Sequence, residues 1–132
     1  MKWIILLGLV ALAAGVTVVG IPAALSKEQL IALAIAAGFS PDDANTAAAI
    51  ALAESSGHVH AIGDQSLAPS NGPSIGLWQI NIGTRAHADL ANEDLTDPQI
   101  NANAAFAIFT AAGNSFSPWS TFGSGAYLRF LS

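Results

Sequence analysis

Residues 3–24 form an apolar run that has no charged side chain and a single hydroxyl, that of Thr17. As a helix rising about 1.5 Å per residue, the run would extend about 33 Å, enough to cross the hydrocarbon core of a bilayer. Charged residues make up only 10% of the 132-residue chain, against about 25% in ordinary soluble domains. The sequence therefore predicts a transmembrane anchor helix over 1–25 and one further domain over 26–132.

Two other interpretations of the apolar run stay open. A cleaved signal peptide needs small residues at the first and third positions before the cleavage site. Cleavage after Ala24 would place Pro22 at the third position, and cleavage after Ala23 would place Ile21 there. A buried core helix of this length without a polar face would be unusual. The sequence thus favours a retained anchor.

The rest of the chain is acidic and lacks cysteine. Lys27, Arg85 and Arg129 are its only lysine and arginine side chains after residue 25, against nine acidic ones. Because such a surface repels phosphate backbones, nucleic acid is not an expected partner. The absence of cysteine excludes disulfides, thiolate metal sites and a thiol nucleophile.

The signals that follow the apolar run are helical. Ser26 and Gln29 have the spacing of a capping box, which predicts a helix through about Ala37. Ser40-Pro41-Asp42-Asp43 combines a hydroxyl cap, a proline at the first helical position and acids in the first turn. That second helix should end near Ser55.

Later segments complete one α-rich domain. Residues 59–73 are rich in turn formers and predict an exposed loop or a small irregular β segment. Asp97-Pro98 should cap a third helix that ends near Gly113, and Ser117-Pro118 should begin a final short helix. Gly123 and Gly125 interrupt that last helix.

Helical spacing places one carboxyl group on an apolar face. Ala47, Ile50, Ala51 and Glu54 follow the i, i+3, i+4, i+7 pattern and share one side of the second helix. Partial burial and the helix dipole should both raise the pKa of Glu54, since each destabilises the ionised form. A carboxylic acid that stays protonated near neutrality can protonate a glycosidic oxygen. The alternative is a frayed helix end with Glu54 in water.

Four motifs in order resemble one superfamily. These are Glu54-Ser55 followed by Ser56-Gly57, then Gly76-Leu77-Trp78-Gln79-Ile80-Asn81, then Asp97-Pro98-Gln99-Ile100-Asn101, and finally Pro118-Trp119-Ser120-Thr121-Phe122 with Gly125-Ala126-Tyr127. The ordered set resembles the soluble lytic transglycosylases and goose-type lysozymes of the lysozyme-like superfamily, and its closing segment resembles phage-associated members. The expected fold is therefore mainly α, a small lysozyme-like helical domain preceded by a single N-terminal transmembrane helix.

The resemblance implies roles for particular residues. Glu54 would donate a proton to the oxygen that bridges N-acetylmuramic acid and N-acetylglucosamine. Gln79 and Asn81 would line the cleft and contact the sugar, and Tyr127 would orient the acid. Gln79 as a polar residue at a strand edge and Tyr127 as a core residue are the simpler alternatives. Ser55 completes the motif and is a further predicted substrate contact.

Asp64 is the nearest candidate for a second carboxylate. An inverting hydrolase holds a base about 6.5–9.5 Å from the acid, and a retaining enzyme holds a nucleophile about 5–5.5 Å away. Asp64 is also a predicted substrate contact, although a loop aspartate that terminates a turn is the simpler interpretation. Relatives that use one glutamate let the substrate's own acetamide or 6-hydroxyl attack, so hydrolysis and transglycosylation are both open.

The remaining polar and aromatic residues suggest other roles. His58, His60 and His87 with Asp64 have ligand types that suit zinc, but no His-Glu-x-x-His pattern is present. We therefore predict no metal and no cofactor. Large aromatic residues in a small domain more often belong to the core than stack on sugar rings. Trp78 and Trp119 are therefore expected to be core residues.

The predicted function is cleavage of peptidoglycan by a membrane-anchored, single-pass protein. Expected partners are peptidoglycan glycan strands, a lipid bilayer through residues 3–24, and virion proteins. The domain would face the periplasm or the cell wall, in a virion or in the host cell envelope, for genome delivery or lysis. The alternative is a catalytically idle membrane or virion structural protein with a lysozyme-like fold. A holin-type pore is disfavoured because the Ala-rich stretch at 44–53 is too short to be a second membrane span.

Overall fold

Helices make up most of the computed structural model, which describes residues 23–63, 72–83 and 85–132. In these residues the α-helices are α1 Lys27–Ala37, α2 Pro41–Ser55, α3 Pro98–Ala111 and the short α4 Ser120–Gly123; two 3-10 helices span Arg85–Asn92 and Ala126–Phe130. The prediction of a small, mainly helical domain is confirmed. No helix within the described stretches is long and apolar enough to cross a membrane. The predicted anchor spans residues 1–25, of which residues 1–22 lie outside those stretches.

Local capping starts each of the three long helices where the sequence predicts. The Ser26 hydroxyl accepts a hydrogen bond from the Gln29 N–H at 3.2 Å, and Gln29 Oε1 accepts one from the Ser26 N–H at 2.8 Å. This reciprocal pair is the capping box of α1. Ser40 caps α2 through the Asp43 N–H at 3.2 Å. Asp97 caps α3 by accepting from the Ile100 N–H at 3.0 Å, as predicted for it.

Small side chains let α1 and α2 pack closely. Ala44, Ala47, Ala48 and Ala51 of α2 are fully buried, and in α1 so are the residues of its inner face, Leu30 and Ala34. Because alanine adds little bulk, the helix backbones can approach and larger residues fill the space around them. Each large apolar side chain that becomes fully buried contributes about 1.5–3 kcal/mol.

An aromatic cluster fills the space between α1, α3 and the C-terminal segment. Phe39, in the α1–α2 connection, packs edge-on against Phe106 at 5.0 Å between ring centroids and contacts Phe109 at 4.9 Å. Phe116 stacks on Phe39 at 5.8 Å and contacts Phe122 at 5.7 Å. The rings thus connect the first helical pair to the last part of the chain.

Three two-residue strands form a small antiparallel sheet beside the helices. Strands β1 Ile62–Gly63, β2 Ser74–Ile75 and β3 Ile80–Asn81 lie in the order β1-β2-β3. Ile75 is paired with Ile62 on one side and with Ile80 on the other. The prediction of a small β segment before Pro73 is confirmed for β1, whereas β2 and β3 extend the sheet beyond the predicted region.

Residues 23–25 are hydrogen-bonded to the segment that follows α2. The Leu25 N–H donates to the Gly57 carbonyl at 2.9 Å, and the Val59 N–H donates to the Ala23 carbonyl at 3.1 Å, around a bridge between Ala24 and His58. Leu25 is buried in the core. These residues lie within the predicted anchor range, so their contacts join the end of that range to the domain.

Candidate active site

Glu54 lies one residue before the end of α2 and is half-buried. The three apolar residues that the helical spacing places on its face, Ala47, Ile50 and Ala51, are fully buried. One oxygen of the carboxylate, Oε2, accepts a hydrogen bond of 2.7 Å from the Thr121 hydroxyl of α4. The geometry therefore sets a half-buried carboxylate at the rim of the core, in contact with a donor from a distant segment. The raised pKa that the sequence suggests for Glu54 stays a prediction.

Ser55 closes the helix that carries Glu54. Its hydroxyl donates to the Ala51 carbonyl at 2.9 Å and accepts from the Gly57 N–H at 3.2 Å, and the residue is only 8% exposed. Ser56 then adopts the left-handed conformation with φ 55°, followed by Gly57 with φ 79°. These bonds give the Ser55 hydroxyl a structural role at the helix end. Its predicted contact with substrate stays a prediction.

The Gly-Leu-Trp-Gln segment forms the turn between β2 and β3, and Asn101 holds it. Asn101 is fully buried; its Oδ1 accepts from the Trp78 N–H at 2.9 Å, and its Nδ2 donates to the Ile75 and Leu95 carbonyls, both at 2.8 Å. Gly76, with φ 79°, passes so close that a Cβ there would overlap the Asn101 amide and the Leu95 carbonyl. The motif that ends at Asn101 thus positions the Gly-Leu-Trp-Gln motif by direct contact.

Gln79 uses its side-chain amide to join this turn to the neighbouring strand. Its Nε2 donates to the Ala61 carbonyl at 3.1 Å and to the Gly76 carbonyl at 3.0 Å, from a backbone with φ 48°. A Cβ on Gly63 would lie 2.5 Å from Gln79 Oε1, so the amide oxygen lies against β1. The Gln79 amide therefore stabilises the sheet, and its predicted sugar contact stays a prediction.

Asn81 lies on β3 and also contacts the protein's own backbone. Its Nδ2 is 3.3 Å from the Gly72 carbonyl and 3.2 Å from the Ser74 hydroxyl, while its Oδ1 accepts from the Gly83 N–H at 3.0 Å. His87 Nδ1 lies 3.2 Å from the Asn81 carbonyl. These bonds order the polar side of the sheet, and the predicted role of Asn81 in sugar binding stays a prediction.

Tyr127 lies in the second 3-10 helix and is partly buried. Its ring stacks on Phe122 with 4.9 Å between the centroids. Phe122 directly follows Thr121, so Tyr127 supports the segment that supplies the donor to Glu54. The structure thus gives Tyr127 a packing contact, and direct orientation of the acid by its hydroxyl stays a prediction.

The two tryptophans after the anchor are core residues, as predicted. Trp78 is 1% exposed and Trp119 is 6% exposed. Trp119 Nε1 donates to the Trp78 carbonyl at 2.9 Å, and Trp78 Nε1 donates to the Ala47 carbonyl at 2.9 Å. Each buried indole N–H therefore has an acceptor. This pair of bonds joins the C-terminal segment to α2.

The residue predicted as a second carboxylate and the histidines weighed as zinc ligands differ in what the structure says of them. Asp64 lies outside them, and its predicted roles remain predictions. Within 23–63, 72–83 and 85–132, no group of three or more His, Cys, Asp or Glu side chains could hold a metal ion. His58 Nδ1 lies 3.0 Å from the Ser55 carbonyl, a contact that helps order the end of α2.

Two residues that organise the site carry little signal in the sequence. Thr121 contacts Glu54 across 67 residues, and its only signal is its place in the Pro-Trp-Ser-Thr-Phe motif. Asn101 belongs to the motif that begins at Asp97, where the sequence indicates only the start of a helix. Its position in the first turns of α3, after a strong cap, is compatible with an inward-facing amide but does not require one.

Comparison with known proteins identifies the family. The family model described as a lysozyme-like domain matches residues 31–121, more than half of the chain, so the chain belongs to the lysozyme-like domain family. The curated proteins and the solved structures gave no match to the chain. The matched range includes Glu54 and Thr121 and ends before Tyr127. Domains of this family are generally glycosidases or transglycosylases, which supports a function on peptidoglycan.

Proposed function

We propose that this chain cleaves the β-1,4 bond between N-acetylmuramic acid and N-acetylglucosamine in peptidoglycan, with Glu54 as the general acid. The setting of Glu54 carries the proposal: a half-buried carboxylate near the end of α2, on a face that is otherwise fully buried, with a hydroxyl donor from α4. A carboxylate that served only solubility would lie on the exposed side of α2 and not beside its buried face. The family supplies the class of substrate.

The chemistry needs one proton and one attacking oxygen. Protonated Glu54 gives its proton to the bridging oxygen while the bond from that oxygen to the anomeric carbon breaks, so the leaving sugar departs as an alcohol. Glu54 is then a carboxylate and can accept a proton from the group that attacks the anomeric carbon. Water as that group gives hydrolysis, with Asp64 as the candidate second carboxylate. The substrate's own 6-hydroxyl gives an anhydro sugar.

The test compares the wild-type full chain with Glu54→Gln, both purified in a non-ionic detergent and incubated with purified peptidoglycan. Released muropeptides are identified by mass spectrometry. Glutamine keeps the size of the side chain but cannot donate an acid proton, so release should fall by about 100-fold or more. Glu93→Gln, the same change at an exposed position, is the matched control and should leave the rate unchanged.

The products also separate the two reactions. Reducing-end sugars of full mass would establish a muramidase and direct attention to Asp64, whereas products lighter by one water would establish a transglycosylase. If the folded wild-type protein released nothing, the enzyme proposal would be wrong and a structural role would take its place.

We further propose that residues 3–24 anchor the protein in a bilayer and that the domain acts on the wall in a phage virion or during phage lysis. The uncharged run supports the anchor, and the resemblance of the closing segment to phage-associated relatives supports the context. With nine acidic side chains and few basic ones, the domain has little electrostatic attraction to an anionic wall. A tether raises the local concentration of the enzyme without needing that attraction.

A further inference from the structure

The hydroxyl of Thr121 donates to the carboxyl group on which the proposed function depends. Thr121 Oγ1 lies 2.7 Å from Glu54 Oε2, within the range of short hydrogen bonds between a hydroxyl and a carboxylate. Threonine in a helix commonly bonds a backbone carbonyl of the preceding turn, as Thr110 does in α3. Thr121 instead contacts a side chain 67 residues away in sequence.

The core fixes the place of Thr121 relative to Glu54. Trp119, two residues earlier, is buried and donates to the Trp78 carbonyl, and Trp78 donates to the Ala47 carbonyl in the middle of α2. The helix that carries the carboxylate is therefore hydrogen-bonded, through two buried indoles, to the segment that carries the donor. Phe122 packs on the aromatic cluster immediately after Thr121. The donor is thus part of the packed structure.

We infer that Thr121 is a positioning residue for the general acid: its hydroxyl fixes the rotamer of Glu54 in which the acid faces the bridging oxygen. This inference rests on the proposed function of Glu54. A glutamate side chain has several rotatable bonds, and ordering it costs conformational entropy at the moment of proton transfer unless a partner has already ordered it.

The experiment measures kcat and KM on soluble glycan strands for the full chain and its variants. Thr121→Val keeps the shape and removes the hydroxyl, so kcat should fall about 10- to 100-fold with little change in KM. Thr121→Ser restores the hydroxyl and should keep kcat within about threefold of wild type, a spread well below the effect of losing the bond. Thr110→Val makes the same change at an exposed helical position and should have no effect.

A double variant separates positioning from packing. In the Glu54→Gln background, adding Thr121→Val should leave the residual rate unchanged, because the hydroxyl has no acid to position. Thermal unfolding followed by circular dichroism checks that each variant is folded. If Thr121→Val does not fold, Thr121→Ala removes the same hydroxyl without placing a second methyl group beside a carboxylate.

Two results would overturn the inference while leaving the proposed function intact: a folded Thr121→Val protein with the wild-type kcat, or a Thr121→Ser protein as slow as Thr121→Val. The first would show that the hydrogen bond is not used, and the second that the methyl group matters instead. A folded wild-type protein without activity would overturn the proposed function, and the inference with it.

Discussion

Replacement of Asn101 by alanine tests whether one buried amide holds the turn between β2 and β3 in place. Asn101 is fully buried and bonds three backbone groups: the Trp78 N–H and the carbonyls of Ile75 and Leu95. These groups belong to the turn, to β2 and to the loop before α3. Asn101→Ala removes all three bonds and leaves the backbone groups inside the protein.

The contacts set the size of the effect. A buried polar group that loses its partner costs about 1–3 kcal/mol, and three such groups together cost at least about 3 kcal/mol. Alanine is the better helix former and offsets about 0.5 kcal/mol. Water that enters the small space left by the amide would satisfy some of the groups, which limits the upper value to about 5 kcal/mol. Since a domain of this kind is stable by about 5–15 kcal/mol, the loss is a large fraction of the total.

The assay is thermal unfolding followed by tryptophan fluorescence and circular dichroism. Asn101→Ala should lower Tm by more than about 10 °C, given about 4–8 °C for each kcal/mol in a small domain. Asn103→Ala is the matched control: it lies two residues further along α3, is exposed, and accepts a bond from the Gln99 side chain. It should change stability by less than about 0.5 kcal/mol. If the two variants unfolded within about 1 kcal/mol of each other, the reasoning from buried hydrogen bonds would be refuted.

The backbone near the predicted anchor provides two further predictions. Gly57→Ala should destabilise the domain by at least about 1–2 kcal/mol more than Gly113→Ala. Both glycines have positive φ, but a Cβ at Gly57 would lie 2.6 Å from the Leu25 carbonyl oxygen, whereas one at Gly113 would meet nothing within 4 Å; equal unfolding temperatures would contradict this. The full chain, expressed in bacteria, should stay with the membrane fraction in alkaline carbonate and be released by detergent, because its apolar run is long enough to span the bilayer. Release by carbonate alone would show that residues 3–24 are not an anchor.

Helix starts could be predicted because their chemistry is local. The Ser26–Gln29 capping box, the Ser40-Pro41 start and the Asp97 cap each depend on groups within three residues of one another. Such contacts join groups that are close in sequence, so the sequence alone indicates them. The last helix shows the limit of this reasoning. It begins at Ser120 and not at Ser117-Pro118, because the buried side chain of Trp119 fixes the chain just before it.

Strands β2 and β3 and the first 3-10 helix could not be predicted because little in them is local. Strands of two residues are too short to show an alternating pattern. The turn between β2 and β3 is held by Asn101, more than twenty residues further along the chain. No turn motif in the sequence identifies Asn101 as that partner. The helix Arg85–Asn92 contains a kink at His87.

Glu54 stays the predicted acid of the candidate site, whereas the contacts that the structure gives to the other site residues could not be predicted. Periodicity and a motif both identify Glu54, since a carboxyl group on an apolar helix face is unusual. The structure shows that Ser55, Gln79 and Asn81 all bond the protein's own backbone, and their sugar contacts stay predictions. Sequence motifs identify which residues matter in such a segment, but not whether their polar groups serve the fold or the ligand. Only the tertiary structure shows which backbone groups need them.

The contact between Glu54 and Thr121 also has a consequence for biosynthesis. Glu54 and the helix that carries it are synthesised long before α4. The hydrogen bond from Thr121 to Glu54 joins residues that are 67 positions apart in the chain. A nascent or truncated chain that ends before residue 121 therefore has the acid without its donor. Under the proposed role of Thr121, full competence to cut the wall arises only once residue 121 has been synthesised and its segment has docked against α2. A ribosome that stalls before residue 121 would yield a chain with the acid motif but little activity.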